Sequence, residues 1–288
     1  MFKRSWPIFI IFISMISLQS SASMAKYLFP VLGPEGMTAW RLTFSSLMLI
    51  IIFKPWRKPI TKQSFKYVFL YGVATGCMNL AFYSAIARIP LGITVAIELT
   101  GPIVVAMCYS RRLVDFIWLG VAVIGLAILL PIHQASGDLD PVGILMALLA
   151  GSGWACYIVF GRKAGALYGS SSVAIGSLIA SLFVFPIGVW DSGSAMFSLE
   201  LLPLVFVVSL LASAIPYGLD MIALPRLPAQ TFSTLMSLSP VFAALSGFIV
   251  LQEQLTRYQW LAITFIIVSS IGTVLTMSRP TKIKSVNS

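Results

Sequence analysis

The sequence predicts an all-α integral membrane protein of ten transmembrane helices, arranged as two inverted-topology repeats of five. Three observations carry that fold class. Of 288 residues, 58% are hydrophobic and 10% charged, with a mean hydropathy of +0.96. That is more apolar surface than a soluble core of this length can bury. The apolar residues fall into ten runs close to the roughly 20 residues that cross about 30 Å of hydrocarbon as a helix. Finally, an offset of 138 residues superposes Arg88 on Arg226, Pro90 on Pro228, Pro102 on Pro240, Ala85 on Ala223 and Asn79 on Tyr217, with five runs between the copies.

In the first half, residues 1–134, the expected helices are 7–29, 36–53, 67–87, 91–110 and 114–132. The first follows from the charge-free run 5–25. The pattern MFKR, apolar run, SSASMA also fits a cleaved signal peptide, but removing it would leave nine helices and an unpaired repeat. Its Ser17, Ser20, Ser21, Ala22 and Ser23 form a face for close helix approach. The second helix holds one charge, Arg41, and the fourth holds one, Glu98. The third and fifth are covered by the charge-free runs 67–87 and 116–137. In the second half, residues 135–288, helices are expected at 141–160, 172–190, 201–224, 230–250 and 259–277, each within or near a charge-free run. Short Pro-, Gly- and polar-rich connections separate them, among them FPVLGPEG (29–36), KPWRKPITKQ (54–63), HQASGDLD (133–140) and DSGSAMFSLE (191–200).

With a cytoplasmic amino terminus, fifteen Lys and Arg residues fall on the inner side and three, Lys26, Arg88 and Arg257, on the outer side. This positive-inside bias predicts both termini in the cytoplasm. The net charge of +10 is therefore read as a topology signal, and no nucleic-acid partner is expected. Cys77, Cys108 and Cys156 all lie in apolar segments and read as small packing residues. His133 is the single histidine, so no metal site is expected. No catalytic or nucleotide-binding motif and no cofactor signature is present.

Five helices between copies is an odd number, so the second copy enters the membrane from the opposite side. That is the pattern of transporters that open alternately to the two faces. Within it, Pro102 has no amide hydrogen and frees the carbonyl of residue 98. A free carbonyl and the Glu98 carboxylate thus share one turn, about 10 Å inside the helix end at the 1.5 Å rise. An ionised carboxylate there costs on the order of 3 kcal/mol, so Glu98 should face the bundle interior, have a partner or carry a proton. Glu98 is the leading candidate for substrate binding and proton coupling, with Pro102 and its repeat mate Pro240 as helix breaks. Arg41 either pairs with Glu98 or snorkels to the surface. Asn79 and Tyr83 share a helix face beside the small-residue stretch GVATG (72–76), as do Trp154 and Tyr157 on theirs, and Tyr217 stands at the repeat equivalent of Asn79. These aromatics read equally as packing or interfacial residues. Asp220, near an inner helix end, reads as solvated or paired with Arg226.

The runs IPLGITVAIELTGPIVVA (89–106), SRRLVDF (110–116) and PYGLDMIALPRLPAQTFSTLMSLSP (216–240) resemble the EamA type of the drug/metabolite transporter superfamily, and within it the amino-acid exporters of the bacterial inner membrane. The resemblance spans nearly the whole chain. It implies efflux of small amino acids of the threonine and homoserine kind, driven by the proton gradient. Members of this superfamily move very different solutes, so an aromatic compound, a nucleoside or a cationic drug stays open as substrate. A non-transporting membrane enzyme or receptor is the remaining class. Oligomeric state and stoichiometry are not legible.

Overall fold

The computed structural model describes residues 2–89, 91–110, 112–129, 140–198, 200–236, 238–239, 241–242 and 257–276. Pro90, His133 and Pro240 lie outside these, as does most of the expected helix 230–250 beyond residue 236. The helices are α1 (Phe2–Phe53), α2 (Lys62–Ile86), α3 (Leu91–Glu98), α4 (Thr100–Tyr109), α5 (Leu113–Leu129), α6 (Pro141–Tyr168), α7 (Ser171–Ser192), α8 (Leu202–Ser209), α9 (Ile215–Ala223), α10 (Ala229–Met236) and α11 (Arg257–Thr276). No strand occurs among the described residues.

Against the expected 67–87 and 141–160, α2 begins five residues earlier at Lys62 and α6 runs eight residues further to Tyr168; three further expectations change, each for a local backbone reason. The first two expected helices run on as α1, broken at one residue, Gly33 (φ 65°, ψ 168°), between Pro30 and Pro34. The left-handed φ suits only a residue without a Cβ, and an added Cβ would lie 2.9 Å from Asp191 Oδ2. The expected 91–110 helix is split at Leu99 into α3 and α4. The expected 201–224 helix contains a π turn, Leu210–Ala214, just before Pro216. A wide turn followed by a proline loosens the backbone ladder there and marks a bending point.

Helix ends follow ordinary capping chemistry. The Ser64 amide donates to Thr61 Oγ1 at 3.1 Å at the start of α2. At the start of α6 the Val142 amide donates to Asp140 Oδ1 at 2.8 Å, and Arg88 Nη1 lies 3.2 Å from Asp140 Oδ2. The Val142 amide first, then the Arg88 side chain, hold the Asp140 carboxyl below the usual carboxylate range.

Helices approach closely through glycine. A Cβ at Gly72 would lie 2.6 Å from the Gly176 carbonyl, and one at Gly101 would overlap the Gly151 carbonyl. These contacts pack α2 against α7 and α4 against α6. In lipid such packing, not apolar transfer, drives helix association, because acyl chains are as apolar as leucine. The arm of α1 after Gly33 runs along α7, α2 runs along α6, and α5 along α11. The arm before Gly33 packs on α8, the π turn and α9.

Five stretches are long and apolar enough to cross a membrane: 30–57, 62–86, 141–168, 171–192 and 202–223. Shorter apolar helices cover 6–18, 100–109, 113–128 and 260–273. Outward-facing residues such as Phe9, Leu182, Trp190 and Leu275 are apolar, while Ser, Thr, Asn, Arg, Glu and Asp are found inside. The three cysteines correct the sequence reading: all are exposed on the outside of the bundle. Apolar sequence does not separate a lipid-facing from a helix-facing position, because both environments are apolar.

Candidate functional site

The centre of the bundle is built around Arg41, on the second arm of α1 and only 4% exposed. Its Nη1 donates to Tyr83 Oη at 2.7 Å and its Nη2 donates to Asn79 Oδ1. The guanidinium carbon also sits 4.7 Å from the Tyr83 ring centre, a cation held over an aromatic face. Arg41 therefore does not snorkel. Asn79 and Tyr83 reach it together because they are four residues apart on α2.

Asn79 is itself oriented. Its Nδ2 donates to the Thr75 carbonyl at 2.7 Å and lies 2.7 Å from Tyr217 Oη, which is 3.0 Å from Asn79 Oδ1. Tyr217 stands on α9, 138 residues from Asn79. A second pair at the same spacing also meets, Thr43 Oγ1 with Ser181 Oγ at 2.7 Å. Arg41 Nε is buried with no hydrogen-bond partner. A guanidinium presents five donors; two are matched here, and the Nε hydrogen is among those left for something else.

Glu98 closes α3 and is 9% exposed. It feels the charge of Arg41, but the two do not approach to ion-pair distance; the ion pair among the described residues is Arg88 with Asp140. Arg41 spends its donors on neutral oxygens instead. Pro102, buried in α4, leaves the Glu98 carbonyl without a helical amide. Gly151 of α6 lets a neighbouring backbone reach that carbonyl, since a Cβ there would stand 2.8 Å from it.

Tyr157 and Trp154 of α6 do not enter this group directly. Tyr157 is fully buried, its ring 5.9 Å from that of Tyr217 and 5.1 Å from that of Tyr71. Trp154 is half-buried against the central apolar cluster.

The sequence reading missed a second polar group beyond Tyr217. Asp220 is 8% exposed, and it accepts from Ser14 Oγ at 2.8 Å and Tyr157 Oη at 3.3 Å. The expected partner Arg226 is turned away: it donates to the Ile222 carbonyl and lies 5.2 Å over the Trp6 ring. Asp220 carried the same signal as Glu98, an ionisable residue against an apolar run, and the nearby arginine hid it. The lesson is geometric, because six residues of separation across the end of α9 put the two side chains on different sides.

A cavity of about 460 Å³ lies at one end of the bundle, lined by Glu35, Ser84, Arg88, Met146 and Asp191 among others. Ser84 follows Tyr83 directly and donates to Glu35 Oε1 at 3.2 Å. At the opposite end Tyr168 Oη lies 2.8 and 3.0 Å from the Pro55 and Lys58 carbonyls, and Ser171 Oγ donates to the Phe53 carbonyl at 3.3 Å.

The profile of the EamA-like transporter family matches residues 141–275. The threonine/homoserine exporter RhtA of Salmonella typhimurium strain LT2 is 49% identical over 281 residues, covering 98% of this chain and 95% of the relative. The exporter of the same name from Escherichia coli K12 is 48% identical with the same coverage. A solved crystal structure superposes with a TM-score of 0.75 over 95% of this chain and 97% of its own, at 18% identity, which speaks to the fold alone.

Proposed function

Since the chain belongs to the EamA-like transporter family, we propose that it exports small amino acids of the threonine and homoserine kind across a bacterial inner membrane in exchange for protons. The observation that carries the substrate is the identity of nearly half, over almost the whole length, with exporters named for those two amino acids.

A zwitterion needs donors for its carboxylate and an acceptor for its ammonium group. Arg41, with Nε free, is the donor, and a guanidinium matches a carboxylate in shape as well as charge. Glu98 is the acceptor. Asn79, Tyr83 and Tyr217 can bond the side-chain hydroxyl that threonine and homoserine share. Glu98 holds the substrate ammonium or a proton, but not both. A proton arriving from the acidic side thus releases the amino acid there.

The alternating motion follows from the two halves, 1–134 and 135–288, read as inverted repeats. Supporting this, two residue pairs related by the 138-residue offset, Asn79 with Tyr217 and Thr43 with Ser181, meet at hydrogen-bond distance. Residues near the axis of a two-fold pseudo-symmetry meet their own counterparts. The positive-inside rule puts both termini in the cytoplasm. In that orientation the Glu35–Asp191 cavity faces outward, and the end where Tyr168 meets the 55–58 turn faces the cytoplasm.

The test is uptake of radiolabelled threonine and homoserine into inside-out vesicles, with and without an imposed proton gradient, for the wild type and Glu98→Gln. Gradient-driven uptake by the wild type and its loss in the variant is the expected result. Gradient-driven accumulation retained in Glu98→Gln would sink the role given to Glu98. A folded wild type that takes up neither amino acid would discard the substrate.

A further inference from the structure

The exchange described above uses one buried carboxylate, yet the bundle holds two. Asp220 is linked to Arg41 through Tyr157, Tyr217 and Asn79, and both its oxygens accept from neutral hydroxyls, Ser14 of the first arm of α1 and Tyr157 of α6. Among the described residues no cation lies at ion-pair distance from it. The titratable groups that face it are Tyr71 from α2, Tyr157 from α6 and Tyr217 from its own helix. From α1 it meets Ser14, which does not titrate. A carboxylate at membrane depth with only neutral partners is served by a mobile cation or by a proton, and intramembrane carboxylates of this kind mark proton relays.

We infer that Asp220 is a second proton-binding carboxylate of the exchange cycle, serving the half of the bundle opposite to Arg41 and Glu98. The inference rests on the proton-exchange reading above. Its surroundings suit proton passage: the Tyr157 hydroxyl donates to it, and the Tyr157 ring lies 5.9 Å from that of Tyr217 and 5.1 Å from that of Tyr71. A tyrosine hydroxyl both donates and accepts, so a proton taken up on one side can leave from the other.

The proton also has a structural readout. Ionised, Asp220 accepts from Ser14 and from Tyr157 and so ties α1 and α6 to α9. Protonated at Oδ1, it donates to Ser14 Oγ, and the serine hydrogen turns to the Pro216 carbonyl, already 3.4 Å away. The balance is one proton gained and one hydrogen bond reversed. That reversal falls on the turn that carries Pro216, next to the π turn, which Ser17 also holds through the Leu211 carbonyl at 2.7 Å. A bend point joined to a protonatable latch lets the proton bias which face is open.

The experiment uses the full chain in proteoliposomes with radiolabelled threonine. Asp220→Asn keeps the shape and, like the protonated acid, accepts through one atom and donates through the other, but cannot exchange a proton. It should retain threonine counterflow without a gradient and lose gradient-driven accumulation, with Asp220→Glu restoring the latter. Tyr157→Phe removes a donor to the ionised form and should move the half-maximal pH of exchange upward. Gradient-driven accumulation at the wild-type level in Asp220→Asn overturns the inference. So does loss of counterflow and accumulation together in both Asp220 variants, which marks a structural or substrate-binding residue. If Asp220→Asn does not fold, an unmoved pH profile in Tyr157→Phe overturns it. A wild type indifferent to the gradient overturns the proton-exchange reading itself, and counterflow by that same wild type distinguishes this from loss of the substrate.

Discussion

The groups on either side of Tyr217 are chemical opposites. On one side a buried cation, Arg41, is held by neutral acceptors and an aromatic face. On the other a buried carboxyl group, Asp220, is held by two hydroxyls. The simplest way to bury two charges is to pair them, and breaking such a pair is costly because it strands a charge. Here neither is paired at contact distance with the other or with Glu98. Neutral partners keep each charge oriented without saturating it, which suits a site that must bind and release a charged substrate and a proton.

Substitutions sharpen that contrast. The largest effect is expected at Arg41→Met, which removes the charge and its bonds while keeping much of the volume. Hydrogen bonds to charged groups are worth about 1.5–3 kcal/mol, so the KM for threonine should rise by roughly 10- to 150-fold in a transport assay. Next is Gly101→Ala, since the new methyl overlaps the Gly151 carbonyl. Overpacking costs about 1–3 kcal/mol, visible as a lower melting temperature in detergent. Tyr217→Phe loses the hydroxyl contact with Asn79 and should cost about 1 kcal/mol in the same measurement. Arg226→Ala tests the contrast itself: with Arg226 stacked on Trp6, only the roughly 0.5–1 kcal/mol of an exposed cation–π contact is at stake and transport should persist. Loss of transport equal to that in Asp220→Asn would restore the Asp220–Arg226 pair. Asp140 should show the smallest effect, and one that depends on pH. Its folded carboxyl is held low by the Val142 amide and Arg88, so its stabilisation is present above the ordinary aspartate value of about 3.9 and is lost as pH falls through the lowered value. The melting temperatures of wild type and Asp140→Asn should therefore converge in acid.

Much of the site was legible because charges are rare in this chain. A single Arg and a single Glu in apolar runs named Arg41 and Glu98, helical spacing joined Asn79 to Tyr83, and the 138-residue offset joined Asn79 to Tyr217. Asp220 was misread because a cation six residues away offered a ready partner in one dimension. The cysteines were misread because hydropathy carries no information on which side of an apolar helix meets lipid. Trp154 and Tyr157, linked by spacing, part company in the fold: one is half-buried and the other donates to Asp220.

By itself the sequence determined that this chain lives in a bilayer as packed helices, because backbone groups in hydrocarbon must find partners within their own segment and apolar length sets where each segment can lie. It also marked a helix break at Pro102, because a missing amide acts locally, whereas the kink at Gly33 within one continuous α1 and the π turn before Pro216 emerged only in the fold. Only the tertiary structure decided which polar groups meet. Those contacts join α1, α2, α6 and α9 across separations of up to 206 residues, and such encounters depend on crossing positions set by close glycine contacts that no local pattern encodes.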